Sequence, residues 1–199
     1  MSGTFPISTS KFETLGIKSI QDTILSKSVS GKKLSRQIDG QRWSFTARII
    51  TAKRSDVYGE LMAFIVKQRS GKENFTIIPP EIEDARGTAS GVPHGTASAG
   101  ATSITLGGTG TGTLKAGDFI KFANHDKVYM VVADQSDIST GTLTIEPPLT
   151  TAVSSSTIVY DNVPFTVYLT NDIQEFGVVG NDKDGNLLYQ FEIDLEEAL

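Results

Sequence analysis

The stretch GGTGTGTLKAGDFIKFANHDKVYMVV, Gly107–Val132, poses the choice that decides the fold. Its glycines can form a loop whose backbone N–H groups surround a phosphate, or they can lead into the strands of a small barrel. A phosphate loop needs Gly-Lys followed by Ser or Thr at the start of a helix, so that the lysine and the helix N-terminus both face the anion. Here the glycines run into Thr113-Leu114-Lys115-Ala116, and the segments that follow, Phe119–Phe122 and Val128–Val132, are strand-like. No helix start is offered to an anion. The stretch therefore reads as barrel: the Thr and Gly residues make a flexible connection, Lys115-Ala116-Gly117-Asp118 makes a turn, and the apolar runs are strands.

The neighbouring sequence agrees. ATSITLGG, TGTLTIEPP and STIVYDN add further short apolar runs, giving about five strands at the spacing of a small barrel. By alternation, Phe119, Phe122, Tyr129 and Tyr160 fall inside it. The region from Thr76 to Ser103 is rich in Gly, Ala, Ser and Thr, and clear apolar alternation resumes only in Ser156–Leu169. This composition marks an insertion with boundaries near Pro80 and Pro164. Residues 82–162 are expected to form an inserted barrel, and residues 1–81 with 163–199 a discontinuous outer domain.

Within the outer domain, KKLSRQIDGQRWSFTARII reads as two β runs around the turn pair Asp39-Gly40. In the second run Trp43, Phe45, Ala47 and Ile49 alternate with Arg42, Ser44, Thr46 and Arg48, giving one apolar face and one wet face. RSDVYGELMAFIVKQRSG has a helical period instead. Ser55 is placed as an N-cap, Val57, Leu61, Phe64, Ile65 and Gln68 form a stripe, and Gly71 is placed as the stop. ENFTIIPP is a strand ended by prolines. Near the C-terminus PFTVYLTNDIQEFGVV and LLYQFEIDLEEAL are strand regions joined by GNDKDGN. In the last of these Tyr189, Phe191, Ile193 and Leu195 alternate with Leu188, Gln190, Glu192 and Asp194. The fold class is therefore mainly β (α+β), a sandwich with one helix interrupted by a small barrel.

Composition closes several function classes. The chain of 199 residues has no cysteine and only two histidines, so a disulfide framework, a thiolate metal site, a cysteine nucleophile and a multi-histidine cluster are all excluded, and no cofactor or metal is expected. No run of apolar residues is long enough to span a bilayer, so no membrane insertion is expected. MSGTFPISTSKFETLG has neither a basic start with an apolar block nor a cleavage site, so folding in a cytosol is expected.

His125 lies beside Asp126 without a serine to complete a triad and reads as a satisfied turn histidine. NDKDGN resembles a calcium loop only superficially, because Gly180 and Phe191 would occupy its first and last ligand positions; it reads as a hairpin turn around Asp184-Gly185. No pair of acids marks a glycosidase cleft, and no enzyme emerges. Nucleic-acid binding needs a basic groove with exposed aromatics. Residues 81–161 instead hold 4 Lys and Arg against 9 Asp and Glu. The rest of the charge is split as well: residues 1–80 carry 13 Lys and Arg against 6 acids, and residues 162–199 carry 1 against 8. Such opposite surfaces can attract within one fold or between copies, or can simply be solvated.

KAGDFIKFANHDKVYMV, Lys115–Val131, followed by LTIEPPL and VPFTVYL, resembles the barrel insert of the distal tail proteins of long, flexible-tailed bacteriophages. GQRWSFT, FIVKQRSGKENFTI and YQFEIDLEEAL are similar to the tail-tube-like domain of the same proteins. The resemblance implies a tail-tube-like β-sandwich with an oligonucleotide-binding-like barrel, and no catalytic residues. It further implies a homohexameric ring at the virion tail tip, made in the host cytoplasm, that joins the tail tube protein to hub proteins of the tip or baseplate while genome DNA passes through the lumen without specific binding. In such a ring the cations of the hairpin, Lys32, Lys33, Arg36 and Arg42, are expected to meet Glu192, Asp194 or Glu196 of the next copy. The alternative reading is a carbohydrate-binding or host-adhesion module at the tail tip, which requires aromatics exposed on a concave face.

Overall fold

The computed structural model describes residues 3–6, 11–37 and 40–199. Its largest element is β4 (Arg42–Lys53), and the alternation read from the sequence holds: Trp43, Phe45, Ala47 and Ile49 are buried and the residues between them are not. A strand with one fully apolar face needs partners on both edges and a cover over that face. β1 (Phe12–Ile20) pairs antiparallel on one edge and β14 (Leu187–Glu197) on the other. β12 (Phe165–Leu169) and then β5 (Phe75–Ile77) extend the sheet beyond β14, while β13 (Gly177–Asn181) pairs with the first part of β14. The chain is mainly β with a small barrel, as the sequence indicates.

One pairing departs from expectation. β3 (Lys33–Gln37) does not form a hairpin with β4; it pairs with β2 (Thr23–Lys27) as a separate two-stranded ribbon. Asp39 lies outside the described residues, so the turn expected at Asp39-Gly40 is not described. The physical reason for the change of partner is that β4 has both edges occupied by the long strands β1 and β14, which leaves no ladder for β3.

The cover is the helix α1 (Gly59–Lys67), whose Leu61 and Ile65 join Phe45 and Phe75 in one core while Phe64 stands edge-on to Phe75 at 5.2 Å. Gln68 closes the expected stripe fully buried, its side-chain amide donating to the Phe64 carbonyl at 3.0 Å. Ser55 is not the N-cap. β4 runs on to Lys53, so a wide π-type turn, Arg54–Tyr58, opens the helical segment with Ser55 already inside it, and the Ser55 hydroxyl donates to Asp56. Nor does Gly71 stop the helix: Arg69 and Ser70 turn the chain with φ of 54° and 60°, and Gly71 instead makes room for the Leu169 carbonyl, which a Cβ would meet at 2.7 Å. Tyr58, fully buried, donates to the Ile50 carbonyl at 3.1 Å, and burial pushes its hydroxyl up to about 12.

Between β5 and β12 the chain makes a closed barrel in the order β10-β7-β6-β11-β8-β9, from β6 (Pro93–Ala97), β7 (Ser103–Gly108), β8 (Phe119–Phe122), β9 (Val128–Val131), β10 (Thr142–Glu146) and β11 (Val153–Val159). The strand beyond the expected five is β6. Its Pro-His-Gly start reads as loop, but Gly95 is there because a Cβ would meet Phe122 at 2.6 Å and Ile104 at 2.9 Å across the barrel interior. Phe122, Tyr129 and Ile120 fill that interior. Phe119 and Val128 point the other way, into the core of the outer sheet, which is why β8 and β9 are apolar on both faces. The segments entering and leaving the barrel run side by side, Ala85 donating to Tyr160 and Val163 to Glu83, each at 3.0 Å.

Candidate functional site

The glycine run is a barrel edge. Gly107 and Gly108 lie in β7 opposite His94 and Pro93. Thr109–Thr113 is not the flexible connection expected, because Thr111 and Ser90 exchange both backbone hydrogen bonds at 2.8 Å and the Thr88 and Thr113 hydroxyls each accept the other residue's N–H. The glycines serve this close pairing: a Cβ on Gly108 would meet the Val92 carbonyl at 2.5 Å, and one on Gly112 the Thr88 carbonyl at 2.1 Å, both at positive φ. The hollow beside the run is lined by His94, Thr96, Thr105, Leu106, Gly107, Gly108 and Ser155, with no lysine or arginine among them. Lys115 pairs with Asp134 at 2.9 Å. A phosphate has neither a cation nor a helix start here.

The other sequence candidates resolve in the same direction. His125 is satisfied on both ring nitrogens, by Asn124 at 2.9 Å and the Tyr129 hydroxyl at 2.7 Å, and burial lowers its pKa. The NDKDGN turn is closed by Asp182, which accepts from Asp184 and Asn186 and pairs with Lys53 at 2.6 Å, with Gly185 at positive φ. Among the described residues no group of three or more His, Asp or Glu is arranged to hold a metal ion. The four aromatic rings of the barrel, Phe119, Phe122, Tyr129 and Tyr160, are all buried.

Two surfaces remain. The first is the β2–β3 ribbon, all ten of whose strand residues are exposed. It carries Ile24, Leu25 and Leu34 at half or more of full exposure, and Val29 at its tip. Lys32 lies in the turn, where its backbone N–H donates to Ser28, and Lys33 stands directly opposite Lys27, a repulsive cross-strand pair. Arg36 stands opposite Ile24. The remaining predicted cation, Arg42, sits in the sheet instead and pairs within the chain with Glu196 at 3.2 Å and Asp22 at 3.5 Å. Of the predicted acids, Glu192 is exposed on β14, Asp194 accepts from Thr46 and Asn171, and Glu196 accepts from the Tyr168 hydroxyl.

The second is a buried polar junction between barrel and sheet that the sequence reading did not single out. Lys127, just before β9, forms an ion pair with Glu197 at the end of β14, and both side chains are almost wholly out of solvent. Lys127 also donates to Gln41 at 2.7 Å. The Glu197 carboxylate accepts the Val128 N–H at 2.8 Å and the Trp43 N–H at 3.1 Å, while the Trp43 indole N–H donates back to the Val128 carbonyl at 3.0 Å. Burial pushes Glu197 up and Lys127 down, and the attraction of each for the other opposes the shift. The signal lay in β14, where the apolar row Tyr189, Phe191, Ile193, Leu195 reaches Glu197 at the next inward position.

An open sheet with one helix, interrupted by a closed barrel and carrying an exposed ribbon, defines a two-part β protein. Residues 84–163 match the family described as Distal tail protein pb9, B domain. The match falls on the barrel and agrees with the resemblance carried by Lys115–Val131, so the inserted domain is similar to the B domain of a phage distal tail protein. No curated protein matches the chain.

Proposed function

We propose that this chain forms the hexameric distal ring of a phage tail, with residues 1–81 and 163–199 building the ring and residues 82–162 projecting as the barrel. The ring joins the tail tube protein to the hub proteins of the tip, is made in the host cytoplasm, and passes DNA through its lumen without specific binding. The observation that carries this reading is the β2–β3 ribbon. A two-stranded ribbon that pairs with no third strand is marginal in water; this one pairs with none among the described residues, exposes four apolar side chains and sets Lys27 against Lys33. Both features are relieved if the ribbon lies on an acidic, partly apolar surface.

The last 38 residues, with 8 acids against 1 lysine, supply such a surface on the next copy. Since Arg42 and Glu196 already pair within the chain, the contacts across the ring fall to Lys32, Lys33 and Arg36 against Glu192 and Asp194. Exposed pairs contribute only ~0–1 kcal/mol each, so one substitution changes little and several together decide assembly. Light scattering of the purified protein, alone and with tail partners, is expected to show hexamers that Lys33→Glu with Arg36→Glu dissociates while the monomer stays folded. Monomer at every concentration and salt, even with partners present, contradicts the proposal.

A further inference from the structure

The barrel is joined to the sheet by two chain crossings, and nothing in a pair of crossings fixes one orientation. The Glu197 carboxylate does. On one side it holds the barrel, through the Val128 N–H and the Lys127 ammonium; on the other it holds the sheet, through the Trp43 N–H. The Trp43 indole closes the circuit onto the Val128 carbonyl, and its ring lies edge-on to Phe119 of β8 at 5.1 Å, which in turn meets Phe165 of β12 at 5.7 Å. A buried carboxylate keeps its charge only while a counter-charge and N–H donors face it, and here those come from two different parts of the fold. Sliding or tilting the barrel separates Lys127, Val128 and Phe119 from Glu197, Trp43 and Phe165 at once. We infer that Lys127, Glu197 and Trp43 are positioning residues that lock the barrel to the sheet at a single orientation, so that the two move as one body. A flexible adhesion module would need the opposite, an exposed and loosely held neck.

Trp43 is the single tryptophan of the chain and sits in the lock itself, so its fluorescence reports docking without a label. The full chain is compared with Lys127→Met, Glu197→Gln and the double variant, by Trp43 emission, acrylamide quenching and amide hydrogen exchange. Each single variant is expected to shift the emission to the red and to speed exchange at Trp43 and Val128 at least about tenfold, the size of effect set by losing one buried partner, while Ile120 and Tyr129 inside the barrel stay protected. The double variant leaves no uncompensated charge and is expected to recover part of the loss, less than the product of the two single effects. Unchanged emission and exchange in both single variants, or faster exchange spread evenly through the barrel, overturns the inference. If the single variants do not fold, the native protein decides: on heating, Trp43 emission and far-ultraviolet circular dichroism are expected to change together, and exposure of Trp43 well before loss of the β signal overturns the lock. The readouts need no ring, so they stand or fall separately from the assembly proposed above.

Discussion

The barrel and the β2–β3 ribbon are both built from short strands, yet they satisfy the same backbone in opposite ways. In the barrel every strand has two neighbours, Phe122, Tyr129 and Tyr160 join its own core, and Phe119 packs on Trp43 of the outer sheet. In the ribbon each strand has one neighbour, no side chain is buried, and Lys27 repels Lys33. Closure of the ladder is what removes edges; a ribbon with two open edges and exposed apolar residues is stable only when something covers it. Stability and exposure thus divide in this chain: the barrel carries its own core, and the ribbon has none.

The largest effects should fall in the barrel. Phe122→Ala empties the centre of a closed interior and is expected to lower stability by about 3–5 kcal/mol in denaturant unfolding, whereas Leu25→Ala in the ribbon should leave the monomer within about 0.5 kcal/mol of native. Equal losses at the two positions would break the comparison by showing that the ribbon is already packed in the free chain.

The next effect sharpens it within one pair of strands. Gly95→Ala places a methyl group against Phe122 and Ile104 and is expected to cost about 1–3 kcal/mol by overpacking. Gly107→Ala, on the paired strand β7 but facing open space, should be near neutral, within about 0.5 kcal/mol. If the two glycines respond alike in thermal melts, the barrel interior is looser than the contacts at Gly95 require.

The smallest effect belongs to the ribbon alone. Lys27→Glu turns the repulsive pair with Lys33 into an attractive one, a change of about 0.2–1 kcal/mol for a cross-strand pair. Amide exchange in Thr23–Gln37 of the monomer is expected to slow slightly while the global melting temperature stays fixed. A change in global melting would mean that the ribbon is part of the cooperative core.

The same contrast governs what could be read from the sequence. Strands with one buried face announce themselves, so Trp43 to Ile49 and Tyr189 to Leu195 were legible by alternation alone, and the helix by its stripe from Val57 to Gln68. Residues placed by long-range partners were not. Asp39-Gly40 is a local turn signal, but the β3–β4 pairing it suggests does not form, because β4 takes β1 and β14 as neighbours and β3 takes β2. β6 was invisible because Gly95 is chosen by the shape of Phe122 and not by strand propensity. The β14 alternation places Glu197 inward, but Lys127 looks like a surface charge, since no local pattern says that a lysine after a turn meets a carboxylate 70 residues later. Of the predicted contact residues, Arg42 and Glu196 meet inside one chain, an outcome that opposite charges on adjacent strands allow and that sequence separation conceals.

In the proposed assembly the exposed ribbon is covered by a second copy in a closed ring. Single-particle electron microscopy of the protein, alone and with its tail partners, tests it most directly. Closed hexameric rings are expected, in which residues 23–37 of each copy lie on the acidic β14 side of the next, beside Glu192 and Asp194. Rings in which the ribbon points into solvent, or particles that stay single at every concentration, would contradict it.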